Sequence, residues 1–371
     1  MKILLCTPQP ISHYLGISRV LIDLRDELIR KGNVVDIVGP LEIGLDNVDF
    51  ASSGFRTLYT SALKNYLIKN SASYDVVEYD HEFLPFKRTL FSSKPLFVAR
   101  TVLLVQHTEF IKPKKPWSFR SMIGSLLRFF HHRKRLKDSW QTLMNADLIN
   151  VPNTHDKRRL AFLGIEESKV CVIPFGLSPS RRSHFFNTKA LPPLDFKICF
   201  LGSFDYRKGA SHFGSIFRTI RERIPDAKLL LLGCGGMIND RSTVLDFFDP
   251  QDRDHIDTVF KFDRENIGEY VKDCRIGIFP SYMEGFPFGI LEMLTGYLPV
   301  IAFDAPGASM MLNPDSLVNV GDEFQFANKV IDLLSDPKRL ESERLKAHEI
   351  SLKFTWDMVA DHTIKAYSIR A

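Results

Sequence analysis

Short apolar runs closed by glycine, proline or polar pairs alternate along the chain with stretches whose apolar residues return every three to four positions. The runs predict strands at Lys2–Cys6, Val34–Val38, Asp75–Tyr79, Leu96–Val105, Ala146–Asn153 and Lys169–Gly176 in the first part of the chain. Later runs at Lys197–Leu201, Lys228–Gly233, Ile276–Phe279, Pro299–Phe303 and Leu317–Val320 predict a second set, and Val259–Phe262 reads as a turn ahead of a helix. Between them, helical spacing is clearest from Ile17 to Lys31, where Val20, Leu21, Leu24 and Leu28 share a face and Gly32 closes the end. Further helices are predicted over His155–Leu163, Glu265–Cys274, 322–335, 337–353 and Trp356–Ile369. Strands alternating with helices specify an α/β protein with parallel sheets. Residues 177–193 are polar, with prolines and basic residues, and read as a linker and hinge. The chain thus divides into residues 1–176, with a C-terminal helix at 355–371, and residues 177–354.

One of these strand–helix units carries the chemistry. After Ile276–Phe279 comes Pro280, then Ser281-Tyr282-Met283-Glu284-Gly285-Phe286-Pro287-Phe288-Gly289-Ile290-Leu291-Glu292-Met293-Leu294. In a parallel sheet this loop and helix start lie at the carboxyl edge, where ligands bind. Around Phe288, Gly289 and Ile290 the reading expects unpaired amides at a helix N-terminus, a seat for phosphate. It also expects Gly289, lacking Cβ, to let a diphosphate approach. Glu292 interrupts an apolar run one helical turn on, and a buried carboxylate needs hydrogen-bond donors such as a sugar diol. Glu284 reaches the same ligand from the loop. The competing reading makes Glu284 a surface residue and pairs Glu292 with a core Arg or Lys.

Composition limits the alternatives. In 371 residues, 44% hydrophobic and 25% charged, there is room for two ordinary globular domains. The five cysteines are dispersed, without a Cys-x-x-Cys pair, and are expected as free, mostly buried thiols in a reducing compartment. The N-terminal apolar run is too short for a signal peptide, and no run approaches the ~20 residues of a membrane span. The reading is therefore cytoplasmic, peripheral at the inner face of the membrane. That last element rests on residues 110–137, with nine Lys or Arg, two His and no acid, more than the net charge of +5. Phe119, Met122, Ile123, Leu126, Leu127 and Phe130 give this stretch an apolar face opposite a basic one. It is either a core-facing helix with a solvated basic side or a dock for anionic lipid or an acidic acceptor. No G-x-G-x-x-G follows the first strand, so a dinucleotide fingerprint is missing. Asp252-Arg253-Asp254 is read as solvated surface, and no metal or other cofactor is expected.

Glu284, seven residues, then Glu292, with Gly-Phe-Pro-Phe-Gly between, resembles the E-x7-E motif of retaining glycosyltransferases of family 4. The flanking Phe-Pro-Ser-Tyr-Met and Gly-Tyr-Leu-Pro-Val-Ile-Ala resemble the same family, as does Val172-Ile-Pro-Phe-Gly176, with Phe175 where Asn is usual. The resemblance implies a GT-B fold, two Rossmann-like domains facing a cleft, with the C-terminal helix crossing back to the first, acceptor-side domain. It implies Glu284 beside the transferred sugar, Glu292 on the donor ribose, and the backbone of Phe288, Gly289 and Ile290 on the diphosphate. His107, at the end of its predicted strand, matches the histidine that bonds the donor sugar, and Gly16 the glycine loop near the donor. His81 holds a similar place one strand earlier. Lys208 fits the family's lysine before a glycine; Ser203 stands where an arginine is usual, and Arg207 is expected to replace it. The implied partners are a nucleotide sugar and a glycan or lipid-linked acceptor, with no nucleic acid. The implied activity is retaining sugar transfer in cell-surface polysaccharide or lipopolysaccharide synthesis. An inactive nucleotide-sugar-binding subunit of a glycan assembly complex is the alternative, and an epimerase a weaker one.

Overall fold

The computed structural model describes residues 1–12, 16–46, 49, 52, 54–110, 119–189 and 196–370; at 16, 108–110, 119–129, 186 and 370 it describes the backbone alone. The chain forms two compact units, Met1–Gly176 with Trp356–Ala371, and Leu177–Thr355.

The first unit runs β1 (Lys2–Cys6), α1 (Gly16–Arg30), β2 (Val34–Val38), α2 (Phe55–Asn70), β3 (Val76–Asp80), β4 (Leu96–Arg100), α3 (Phe119–Asn145), β5 (Leu148–Val151), α4 (Thr154–Phe162) and β6 (Val170–Val172). Its strands form one sheet in the order β2-β1-β3-β4-β5-β6, and the pairings are parallel. Ile3, Leu4, Leu5 and Cys6 are wholly buried, as a strand covered on both faces requires. The α1 stripe of Val20, Leu21, Leu24 and Leu28 is buried against the sheet, and Gly32 at φ +84° takes the left-handed turn that ends the helix. One expected strand is shorter than its apolar run. β4 stops at Arg100 instead of Val105, because the Thr101 N–H makes its bond to Asn150 O just past the strand and the chain then turns. Leu104 and Val105 are buried from a bend and a 3-10 turn, a use of apolar residues that their order alone does not distinguish from a strand.

The second unit continues with α5 (Pro179–Ser183), β7 (Lys197–Leu201), α6 (Ala210–Arg223), β8 (Lys228–Leu232), α7 (Arg241–Leu245), β9 (Ile256–Val259), α8 (Ile267–Val271), β10 (Ile276–Phe279), α9 (Phe288–Thr295), β11 (Val300–Phe303), β12 (Leu317–Val318), α10 (Glu323–Ser335) and α11 (Pro337–Ser351). These strands pair in parallel in the order β12-β11-β10-β7-β8-β9. The chain then returns to the first unit as α12 (Trp356–Arg370), which packs on α1. Residues 177–193 are not a free linker as far as the structure describes them. Arg182 donates to Ser351 O and Phe354 O at 2.7 Å each, and Arg181 is buried, so the segment is fastened to the second unit. Among the described residues no helix is long and apolar enough to cross a membrane.

Candidate functional site

In the second sheet β7 lies between β8 and β10, strands reached by connections running in opposite directions. The crevice beyond the carboxyl ends of β7 and β10 is therefore the topological switch point, where open α/β sheets bind ligands. The two loops that meet there are Gly202–Gly209 and Pro280–Pro287. Tyr282 N donates to Arg207 O at 2.9 Å and Ser281 Oγ to the same oxygen at 3.2 Å. Asp205 braces the first loop, accepting from Lys208 N at 3.0 Å and from Ser203 Oγ at 2.8 Å. Ser203 thus ties down its loop where an arginine was the usual expectation. Tyr282 is held from the other side by His212 of α6, whose Nε2 lies 2.5 Å from the tyrosine hydroxyl and whose Nδ1 faces Glu323.

Three donors converge on one oxygen of Glu284. Lys208 Nζ is 2.6 Å from Oε1, Ser281 Oγ 2.7 Å and Arg207 Nη1 3.0 Å. Burial would raise the Glu284 pKa, but the Lys208 and Arg207 cations outweigh it and hold the carboxylate below its ordinary range. Burial draws the Lys208 ammonium below its ordinary value, Glu284 offsetting part of this and Arg207 adding to it. Two cations, Lys208 and Arg207, thus meet Glu284 at the switch point, with the Asp205 carboxylate in the same loop. Glu284 is not the surface residue of the competing reading; it is buried.

The loops can approach this closely only because of Gly209. It has φ +84°, and a Cβ there would sit 1.9 Å from Pro280 O. A left-handed conformation alone costs a non-glycine residue about 1–2 kcal/mol. Gly209→Ala is therefore expected to lower the urea midpoint by at least that equivalent, read by circular dichroism; an unchanged midpoint would show that the loops separate freely.

The start of α9 differs from expectation. Phe288 N donates to Phe286 O and Ile290 N to Pro287 O, so these two amides are not free for phosphate. The missing Cβ of Gly289 is explained by packing: an added carbon would lie 2.2 Å from Leu201 O, at the end of β7. Glu292 follows one turn later and is buried. The Arg181 guanidinium bonds its Oε1 and lies over the Phe288 ring, 5.5 Å from the centroid, while the exposed Arg264 is 3.5 Å from the same oxygen. Glu292 is therefore paired with an arginine, the arrangement of the competing reading. Arg181 escapes the sequence pattern because it stands among loop-like residues; no spacing rule links it to a glutamate 111 positions away.

The first unit holds the other expected residues. Gly16 opens α1, and residues 13–15 before it lie outside the described residues. His107 is not at a strand end but in the 3-10 turn Val105–Phe110, buried, with Nε2 2.9 Å from Asp156 Oδ1. Asp156, absent from the sequence reading, is wholly buried in the first turn of α4, and burial raises its pKa despite His107. His81 is buried as well. Ligand atoms of Asp80, His81 and Glu82 lie within 4.8 Å of one another, but Arg56 and Arg135 occupy the Glu82 oxygens, a poor setting for a cation. Asp252 is not solvated surface: it is buried, 3.0 Å from Arg221 Nη1. Of the basic stretch 110–137, residues 111–118 and the side chains of 108–110 and 119–129 lie outside the described residues. Beyond them Arg135 is turned to Glu82 and Phe130 is exposed. Cys6, Cys199, Cys234 and Cys274 are buried free thiols, and Cys171 is half-buried.

Residues 182–349 match the family of glycosyl transferases group 1. An uncharacterized glycosyltransferase of Methanocaldococcus jannaschii is 24% identical over 196 residues, 53% of this chain and 43% of the relative, so the match spans less than half of that protein. Sucrose-phosphate synthase of Thermosynechococcus elongatus superposes with a TM-score of 0.74 at 19% identity, over 99% of this chain and 98% of that one. The Anabaena protein HepE in complex with UDP gives 0.69 at 16% identity over the whole of both chains. At these identities the likeness concerns the fold, which is that of the GT-B glycosyltransferases.

Proposed function

We propose, from the premise that residues 182–349 are a glycosyl transferases group 1 unit, that the protein moves a sugar from a nucleotide-sugar donor to a hydroxyl of a glycan or glycolipid acceptor, with retention. The observation that carries this is the convergence of Lys208, Arg207 and Ser281 on Glu284 at the switch point of the second sheet. A relative of the same fold is described in complex with UDP, which supports a nucleotide as the donor's leaving group.

The bond from the anomeric carbon to the diphosphate oxygen breaks while a bond to the acceptor oxygen forms on the same face. The acceptor's proton goes to the departing phosphate. Lys208 and Arg207 meet the charge that develops there, a stabilisation fixed before reaction by the pairing with Glu284. The cations are side chains, so the reading includes no metal. Glu292 is assigned to the ribose and Glu284 to the transferred sugar; the role of His107 rests on the family resemblance. Polysaccharide or lipopolysaccharide synthesis is the setting that resemblance favours.

UDP, GDP, ADP or CMP is expected to raise the melting temperature, and the corresponding nucleotide sugar to be turned over with the anomeric configuration retained, read by proton NMR. No shift with any nucleotide and no turnover would overturn the proposal. Binding without turnover would favour the nucleotide-sugar-binding subunit.

A further inference from the structure

We infer that Arg181 is the positioning residue for Glu292, and that together they make the nucleotide site select for an intact ribose diol. The inference rests on the reading of the second unit as a nucleotide-sugar site. Arg181 lies one residue before the family match begins, on α5, a short helix started by Ser178, whose Oγ accepts from Arg181 N. Its side chain and that of Glu292 are each 9% exposed. Taking a carboxylate so far from water is costly unless a cation or several donors hold it.

The geometry leaves a place for the ligand. Both arginines address Oε1, Arg181 through Nη2 and Arg264 through Nη1, and among the described residues Oε2 takes no such contact. The guanidinium lies over the Phe288 ring at the same time, so its plane is fixed from two directions. A planar guanidinium set over the ring and bonded through Nη2 holds the carboxylate in one rotamer, with its second oxygen left for hydroxyl donors. Arg264, 58% exposed and at the edge of hydrogen-bond distance, cannot substitute for it, since exposed pairs contribute little.

The test compares calorimetric affinities of the full chain for the nucleoside diphosphate it binds most tightly and for that nucleotide's 2′,3′-dideoxy form. Wild type is expected to prefer the ribose form at least tenfold. Arg181→Met is expected to bring the ratio near one, leaving affinity for the dideoxy form within twofold. Arg181→Lys, which keeps charge but loses the planar group over Phe288, is expected to lower the ratio at least threefold, and it stands as the test if the Met variant does not fold. An unchanged ratio in a folded variant, or parallel loss of both affinities, overturns the inference. Equal binding of both forms by wild type also overturns it while leaving the functional reading intact. A wild type that binds no nucleotide at all defeats that reading and this inference with it.

Discussion

Lys208→Met is expected to lower glycosyl transfer by about 10²–10³-fold, the usual effect of removing one preorganised donor from developing charge. The same variant also strips Glu284 of its nearest cation, at 2.6 Å. Removing one partner from a buried ion pair costs about 3–5 kcal/mol. Arg207, at 3.0 Å but 29% exposed, remains and reduces the loss. The double variant Lys208→Met/Glu284→Gln isolates the stability effect: it should regain stability, because no buried charge is left unpaired, while turnover stays lost through both Lys208 and the sugar-facing Glu284. Recovery of turnover with stability would show that Lys208 acts only through folding. The acid limb supplies an independent check. The folded pKa of Glu284 lies below its ordinary value of 4.5. Its contribution is therefore complete above that pH and disappears as the pH falls through the lower, folded value. Glu284→Gln should flatten the stability profile below about pH 4.5, and an unaltered slope would show that the pairing does not stabilise the folded chain.

The elements that could be read from the sequence are those whose ends are enforced locally. Val34–Val38 and Ile276–Phe279 have the same bounds in both readings, since glycine, asparagine or proline beside them stops the strand. The expected strand Leu96–Val105 overruns β4 because buried apolar residues past Arg100 serve a turn as well as they would a strand. The site follows the same division. Glu284 and Glu292 stand out because a carboxylate in an apolar setting demands a partner, and the neighbouring glycine loop supplies Lys208. Arg181, Asp156 and the Asp252–Arg221 pair do not stand out, because their partners are remote in the chain and only folding brings them together. Gly289 illustrates the converse. The demand for a residue without Cβ was legible, but whether a phosphate or the Leu201 carbonyl occupies the space is settled by how α9 docks on β7.

The first unit offers the largest expected effect on stability alone. Arg100 of β4 donates from Nε to Glu78 Oε1 at 2.6 Å and from Nη2 to Oε2 at 2.8 Å, across neighbouring strands and with both side chains at most 3% exposed. Tyr367 of α12, also buried, donates its hydroxyl to Glu78 Oε2, so the triad fastens the returning helix to the sheet. Burial would lower the Arg100 pKa, but Glu78 and Tyr367 more than reverse it, and the guanidinium stays charged at every working pH. Arg100→Met leaves a buried carboxylate with one neutral donor. The expected cost is about 3–5 kcal/mol, or roughly 6–20 °C of melting temperature for a unit of this size. Tyr367→Phe removes one hydrogen bond to a charged group and should cost about 1.5–3 kcal/mol. Glu78→Leu/Arg100→Leu removes both charges and should be far less damaging than either charge deletion, since apolar replacements of a buried pair are often neutral. Trp140 and Trp356 belong to the first unit, and the third tryptophan, Trp117, lies outside the described residues; none falls in Leu177–Thr355, so tryptophan fluorescence does not report on the second unit. An Arg100→Met melt within about 2 °C of wild type by that signal, less than a single kcal/mol would produce, would mean that water reaches Glu78 and that α12 is held by apolar contact alone.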